Sequence, residues 1–358
     1  MYGRTVRCDA RGETAPDSAS IIACGGRMLR AACEGDSCMR KSGVRLGIVM
    51  DPIEAIKPAK DSSFAMLLEA QARGWQLLYM LQGDIRVRNG EARAHARPLR
   101  VRDQPADWFD LDAPQDLALG SLDIILMRKD PPFDMEYVYS TYLLERAEQA
   151  GALVVNRPAA LRDINEKVSI AWFADCTPPT LITRDAALMR EFLAEQGRMV
   201  IKPLDGMGGR SIFVIADGDR NRNVIIETLT NSGSRYAMAQ AYLPDIVTAG
   251  DKRILLIDGE PVPFALARIP APDENRGNLV MGARGEGREL TDRDRWICSR
   301  VGPVLKDRGV LFAGLDVIGD YLTEINVTSP TGIREIDRAF STSVAARLMD
   351  AIEVRLAP

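Results

Sequence analysis

The chain has 358 residues, 46% of them apolar and 27% charged, a length and balance that suit two or three folded domains. A net charge of −4 offers no broad basic field, which argues against nucleic acid as a partner, and no apolar run reaches the roughly 18–20 residues of a membrane span. With His95 the only histidine, histidine-rich zinc sites are excluded, and any chemistry must run on carboxylates, lysines, arginines, metal and cofactor. These bounds describe a soluble cytoplasmic protein.

Four of the six cysteines (Cys8, Cys24, Cys33, Cys38) fall in the first 38 residues, at spacings too loose for a zinc cluster. That segment lacks sustained periodicity and a signal-peptide layout, and reads as a disordered tail from an upstream start, with Met39 the expected true start. From Val44 the character changes: VRLGIVM reads as a buried strand ended by Asp51-Pro52. Asp61, Ser62 and Ser63 offer N-caps to a helix in which Phe64, Leu67, Leu68 and Gln71 share a face and Gly74 closes the last turn. A strand WQLLYM follows, then an arginine-rich stretch around His95 that reads as a solvated loop. LDIILMRKDPP gives a third strand whose exit presents Arg128, Lys129 and Asp130; an amphipathic helix and a fourth strand, LVVNRP, complete an alternation that means a parallel α/β sheet. Ligands bind at the carboxyl ends of such strands, which makes Asp61, Ser63 and Arg128 candidate substrate contacts, although a helix cap and surface ion pairs explain them as well.

Residues 165–174 read as a helix bearing Lys167, and Asp185 caps the helix of DAALMREFLAEQG. MVIKPLDGMGGRS then places a glycine-rich loop between two strands. Gly206, Gly208 and Gly209, with Met207 among them, let backbone N–H groups close over an anion, and Lys202 adds a point charge. It is neither a Walker A loop nor a Rossmann fingerprint, and a glycine loop alone also fits an ordinary hairpin. YAMAQAYLP is a strand, and Asp258-Gly259 turns a hairpin that puts Arg253 near the start of one strand and Arg268 near the end of the other. Residues 271–289 carry Arg276, Arg284 and Arg288 among glycines and read as a mobile cationic loop. A charged helix, a hairpin and one last helix finish the chain.

In LDVIGDYLTEINVTSP, period-2 alternation puts Glu324 and Asn326 on one strand face, and a three-residue turn at 319–321 would bring Asp316 opposite Glu324. Carboxylates inside apolar runs are costly to bury unpaired, and a cation resolves that cost; oxygen ligands beside a polyphosphate suit Mg²⁺. The alternative is an exposed hairpin face.

A lysine on a helix, a lysine entering a glycine-rich strand–loop–strand, a strand exit followed by a hairpin, and an Asp…Glu-x-Asn face resemble, in this order, the ATP-grasp superfamily. More narrowly, GIVMDP, DSSFAMLLEA, MRKDPPFD, NEK, KPLDGMGG, MAQAYLP, GDKR, LARIP, RGNL, GLDVIGD and TEINVTSPTGIREI resemble the bacterial glutathione synthetase family from about Val44 to the C-terminus. The first 38 residues have no counterpart in the family pattern.

The resemblance implies an α/β protein with α+β lobes: an ATP-grasp fold preceded by a parallel α/β domain. The expected divisions are an extension at 1–42, a substrate domain at 43–164, a central lobe at 165–243, and a C-terminal lobe at 244–358 with the metal site and lid. ATP, a co-substrate, would meet Lys167, Lys202 and the 204–209 loop through its phosphates, Gln240, Tyr242 and Leu243 through adenine, and Asp251 through ribose. Asp316, Glu324 and Asn326 would hold Mg²⁺, or alternatively Mn²⁺. The implied reaction joins γ-glutamylcysteine to glycine through an acyl phosphate, with Arg253 and Arg268 steadying the transferring phosphoryl group, Arg128 and Arg334 on substrate carboxylates, and Arg276 and Arg284 on a lid. A homo-oligomer, a tetramer, is implied as well. Two rivals stay open: another carboxylate–amine ligase, which would lack the DSSFAMLLEA and MRKDPPFD runs, and a nucleotide-binding regulator, which would lack a metal ligand or phosphate lysine.

Overall fold

The computed structural model describes residues 43–272, 274, 277 and 282–357. The expectations for residues 1–42 and for Arg276 therefore lie outside the described residues.

The first sheet contains β1 (Arg45–Val49), β2 (Gln76–Met80), β3 (Ile85–Arg88), β4 (Glu91–Val101), β5 (Phe109–Leu111), β6 (Gln115–Ala118), β7 (Ile124–Met127) and β8 (Leu153–Val155). Its order is β3-β4-β2-β1-β7-β8, with β5 and β6 paired to β4. The strands β2, β1, β7 and β8 run parallel, and their unbroken apolar runs are buried on both faces, as parallel strands require. The antiparallel part is a correction: the stretch expected as an arginine-rich loop is the 11-residue strand β4. Its signal is alanine at every second place: Ala92, Ala94 and Ala96 are buried, whereas His95 between them faces solvent.

Helices α1 (Ser62–Ala72), α2 (Met135–Gln149) and α3 (Pro158–Asp163) flank this sheet. Asp61 caps α1 by accepting from the Phe64 N–H at 2.7 Å. Phe64 and Leu67 point inward, and loss of the Phe64 ring would cost about 3–5 kcal/mol. Residues 168–173 form a 3₁₀ helix rather than the expected longer helix, with Lys167 as its N-cap.

The second sheet is antiparallel, with β9 (Thr180–Thr183), β10 (Arg198–Pro203), β11 (Phe213–Ala216) and β12 (Ala237–Ala241) in the order β11-β10-β12-β9. Met199, Ile201, Ala237 and Ala239 pack with apolar residues of α4 (Ala186–Gln196) and α5 (Arg222–Leu229). Period 2 then turns Val200, Lys202 and Gln240 to the opposite face.

After α6 (Asp245–Thr248), the third sheet has β13 (Asp251–Ile257), β14 (Glu260–Ile269), β15 (Arg284–Glu289), β16 (Phe312–Ile318) and β17 (Tyr321–Asn326), ordered β15-β14-β13-β16-β17. The Asp258-Gly259 turn has positive φ at both residues, 53° and 82°, as a two-residue hairpin wants. Residues 284–289, expected within a loop, extend this sheet instead. The turn after β16 has two residues rather than three, yet Asp316 still faces Glu324, because a bulge at Thr323 shifts the register by one. Helix α7 (Asp292–Asp307) begins with the Thr291/Asp294 capping box. The expected single last helix is two, α8 (Ile333–Phe340) and α9 (Val344–Leu356). Ser341 at φ 49° ends the first, and the Ser343 hydroxyl caps the second.

Candidate active site

The second sheet's face away from α4 and α5 and one face of the third sheet meet across a cavity of about 280 Å³. On the third sheet, register builds the polar floor. Arg253 lies opposite Asp316 and Asp316 opposite Glu324, one cross-strand row over β13, β16 and β17. Two residues along β13, Asp251 lies opposite Arg268 of β14.

These groups form one ion-pair network. The Arg253 guanidinium donates from Nε and Nη2 to Asp316 at 2.5 and 3.0 Å, and Arg268 Nη2 lies 3.0 Å from Asp316 Oδ2 and also reaches Asp251. From the second sheet, Lys202 Nζ reaches Glu324 at 3.4 Å and the Thr323 carbonyl at 3.3 Å. Lys167 Nζ pairs with Glu166, lies 3.9 Å from Glu324 and donates to the Gly206 carbonyl at 2.8 Å. Four cations thus pair with four carboxyl groups in a place largely shut off from water.

The titration shifts follow from burial and pairing. Burial works to raise Asp316, but Arg253 and Arg268 outweigh it and hold the carboxyl well below the usual range. Glu324 is likewise held low, burial being overcome by Lys167 and Lys202. Asp251 goes the other way, pushed up to about 7 by burial, with Arg268 opposing and the Asp316 and Glu324 charges adding to the rise. Burial also raises Glu166, against the pull of Lys167.

The glycine loop forms another wall: Gly206, Met207, Gly208 and Gly209 all line the cavity, with φ of 65° at Gly208 and 78° at Gly209. Val200, Ile212, Leu243 and Ile318 make an apolar slot beside Gln240, which donates to the Thr180 hydroxyl at 3.0 Å. Tyr242 lines the same slot, its ring 3.8 Å from the Arg198 guanidinium carbon. Gly277 closes over Asp251: a Cβ there would fall 2.7 Å from the Asp251 Cβ and 2.8 Å from the Arg268 carbonyl.

Asn326 Nδ2 donates to Asp316 at 3.3 Å, so Asp316, Glu324 and Asn326 sit together as the strand alternation predicts. Their donors are oxygen-bearing groups on one face, which suits a hard cation with phosphate and water completing its shell. Among the described residues no cluster of three or more His, Cys, Asp or Glu suits a metal.

Other sequence-derived candidates stand apart from the cavity. Arg128 is buried behind its rim, donating from Nε to the Ser63 hydroxyl and from Nη2 to the Pro330 carbonyl, each at 2.9 Å. Asp61, raised by burial against its Phe64 bond and the Arg128 charge, caps α1 beside it. Arg284 is exposed on β15 and pairs with Glu286 at 2.5 Å. Arg334 pairs with Asp103 at 2.7 Å in a separate surface groove.

Residues outside these candidates also shape the site. Glu166, of the NEK run, lines the cavity and pairs with Lys167. Gly314 gives Arg253 its path, since a Cβ there would come within 2.8 Å of Arg253 Cδ. Asn156, between β8 and α3, accepts from the Leu311 and Phe312 N–H groups and donates to the Phe312 and Val327 carbonyls, stitching the first sheet to the base of the β16–β17 hairpin. No sequence pattern announces such a tertiary bond.

A glycine loop over a two-lysine, two-arginine, carboxylate-faced cavity between two sheets defines an ATP-grasp ligase. The family model for the prokaryotic glutathione synthetase N-terminal domain matches residues 44–162, and that for its ATP-grasp domain matches residues 166–341. The glutathione synthetases of Pseudomonas syringae pv. tomato and Pseudomonas aeruginosa are 61% and 62% identical to it, over 87% and 88% of this chain and 98% and 99% of theirs. The solved D-cycloserine synthetase DcsG shares the fold at 15% identity with a TM-score of 0.62, over 87% of this chain and 99% of that one. The chain belongs to the prokaryotic glutathione synthetase family, and its function is ATP-dependent ligation in glutathione synthesis.

Proposed function

We propose that the chain forms glutathione, ADP and phosphate from γ-glutamylcysteine, glycine and ATP through an acyl phosphate, with the ion-pair network as its phosphoryl-transfer centre. The observation that carries this reading is the row Arg253–Asp316–Glu324 facing Lys167 and Lys202 under a glycine loop. We read the substrate domain as 43–164, the central lobe as 165–243 and the C-terminal lobe as 244–358.

A free carboxylate is a poor electrophile at neutral pH. Transfer of the γ-phosphoryl group to the cysteinyl carboxylate makes it reactive; the glycine amine then attacks, and the tetrahedral intermediate expels phosphate and loses its proton to solvent. Each step gathers negative charge on oxygen, so preorganised cations are the groups the chemistry needs. Lys167 and Lys202, with the N–H groups of Gly206, Met207, Gly208 and Gly209, hold the phosphates. Arg253 and Arg268 meet the developing charge. Gln240, Tyr242 and Leu243 bind adenine, and Asp251 the ribose. Because the four cations are already paired with carboxyl groups, two of them held low, a triphosphate brings more negative charge than these side chains offset. Asp316, Glu324 and Asn326 would hold the Mg²⁺ (or Mn²⁺) that supplies this balance and polarises phosphoryl oxygens. Arg128, buried without a carboxylate in salt-bridge range among the described contacts, suits the dipeptide's carboxylate, with Ser63 bonded to its Nε and Asp61 and Ser63 read as further substrate contacts. On the family likeness, Arg276 and Arg284 would belong to a lid that keeps water from the acyl phosphate. The protein is read as a cytoplasmic homo-oligomer on family likeness; no described helix is long and apolar enough to cross a membrane.

Phosphate release from ATP and Mg²⁺, with γ-glutamylcysteine and glycine added separately and together, tests the reading. Release that requires both, with glutathione formed, supports it; release with a different carboxylate–amine pair, or nucleotide binding without turnover, overturns it.

A further inference from the structure

The segment from Val327 to Ile333 forms part of the cavity rim, with Thr328, Ser329, Pro330 and Thr331 facing it. It is tied along its length to elements outside the third sheet. Asn156 takes the Val327 carbonyl, Arg128 the Pro330 carbonyl at 2.9 Å, and Ser329 donates to Asp130. One peptide group in this segment is held from both sides. The Thr331 carbonyl accepts from Arg253 Nη1 at 3.2 Å, and the N–H of the same peptide, on Gly332, donates to the Ser62 hydroxyl oxygen at 3.1 Å. Ser62 accepts a second bond, from the Ile333 N–H at 3.2 Å, so it caps α8 from another helix. Gly332 has φ 118°, open only to glycine at low cost, and a Cβ there would lie 3.5 Å from Arg253 Cγ.

The remaining Arg253 nitrogens are committed to Asp316. The Thr331 carbonyl is therefore the third point that fixes the guanidinium plane, and Ser62 fixes the carbonyl. Ser62 is 1% exposed. We propose that Ser62 is a positioning residue for Arg253, acting through the Thr331–Gly332 peptide group. This deepens the reading of Arg253 as a catalytic group and rests on it. It makes the first turn of α1, on the first sheet, part of the device that aims a cation across the third.

Ser62→Ala removes the acceptor and Ser62→Thr keeps it, each assayed alone and with Arg253→Lys. The expected result is a kcat about tenfold lower in Ser62→Ala with KM for ATP within about twofold, most activity kept in Ser62→Thr, and no further loss when Ser62→Ala is added to Arg253→Lys. Equal fractional losses in both backgrounds, or a lowered melting temperature with unchanged kcat, would overturn the Ser62 assignment alone. Full activity in Arg253→Lys would instead overturn the reading of Arg253. If that variant turns over too slowly to assay, the Arg253 Nε–H proton resonance decides: it should shift in Ser62→Ala and not in Ser62→Thr, and an unmoved resonance overturns the proposal.

Discussion

Two arginine clusters in this protein make the same kind of bond in opposite surroundings. On β4 and its neighbours, Arg93 pairs with Asp116 and Arg102 with Asp110 on an open surface. Across β13, β14 and β16, Arg253 and Arg268 share Asp316 where all three side chains are under a tenth exposed. At the surface, water competes for each partner and salt screens the rest, so the pairs stabilise little. In the cavity neither sign can leave without stranding the other. The surface cluster decorates a strand, whereas the buried one lines the cavity.

The sharpest way to break this contrast is to remove the shared carboxylate. Asp316→Ala would leave two guanidiniums buried without it and should lower unfolding stability by about 3–5 kcal/mol in urea titration. A loss below about 1 kcal/mol would mean that the cavity is wetter than the burial implies. Arg253→Ala, assayed as kcat for ATP-dependent ligation, should fall by about 10²–10³-fold if the guanidinium meets transition-state charge.

A third buried pair separates stability from chemistry. Lys252, between Asp251 and Arg253 on β13, points to the other face and pairs at 2.5 Å with Asp294, which has no exposed surface. Lys252→Met should cost about 3 kcal/mol by stranding Asp294, and adding Asp294→Asn, which keeps the α7 cap without its charge, should recover part of that. Turnover per folded molecule should change little in either variant; a large fall would show that the strand's two faces are not independent. By contrast, Arg93→Ala should leave the urea midpoint unmoved.

The same contrast explains what the sequence could and could not reveal. Asp316, Glu324 and Asn326 were legible because charges inside apolar strands require compensation and alternation says which face they share. The expected turn length was wrong and the pairing right, because the bulge at Thr323 supplied the residue that the shorter turn lacked. The β4 strand was illegible for the opposite reason: its inward residues are alanines, too small to mark an apolar periodicity against so many arginines. Arg334 looked equivalent to Arg128 in sequence, but one faces Asp103 in a groove and the other is buried against Ser63 and Pro330, a difference set by tertiary packing. Ser62 and Asn156 act through backbone groups more than 150 residues away, which no local pattern encodes.

Asp258 stands between the two extremes and gives the smallest effect. It occupies the β13–β14 turn at φ 53° and pairs with Arg355 at 2.5 Å and Lys306 at 3.2 Å, its side chain 28% exposed. Partial burial works to raise its carboxyl, but the bonds from Arg355 and Lys306 outweigh this and hold it below the ordinary value. On acidification the unfolded chain takes up this proton first, so stability rises with pH across the window. The contribution is complete above the unfolded value of about 4 and disappears as pH falls through the lower folded one. Asp258→Asn keeps a residue that tolerates the left-handed turn and removes only the charge. Its stability deficit against the parent should be below about 1 kcal/mol at pH 7 and should shrink toward zero as pH falls below about 4. A deficit that stays constant with pH would assign the effect to turn geometry, and Asp258 would then belong with the surface cluster after all.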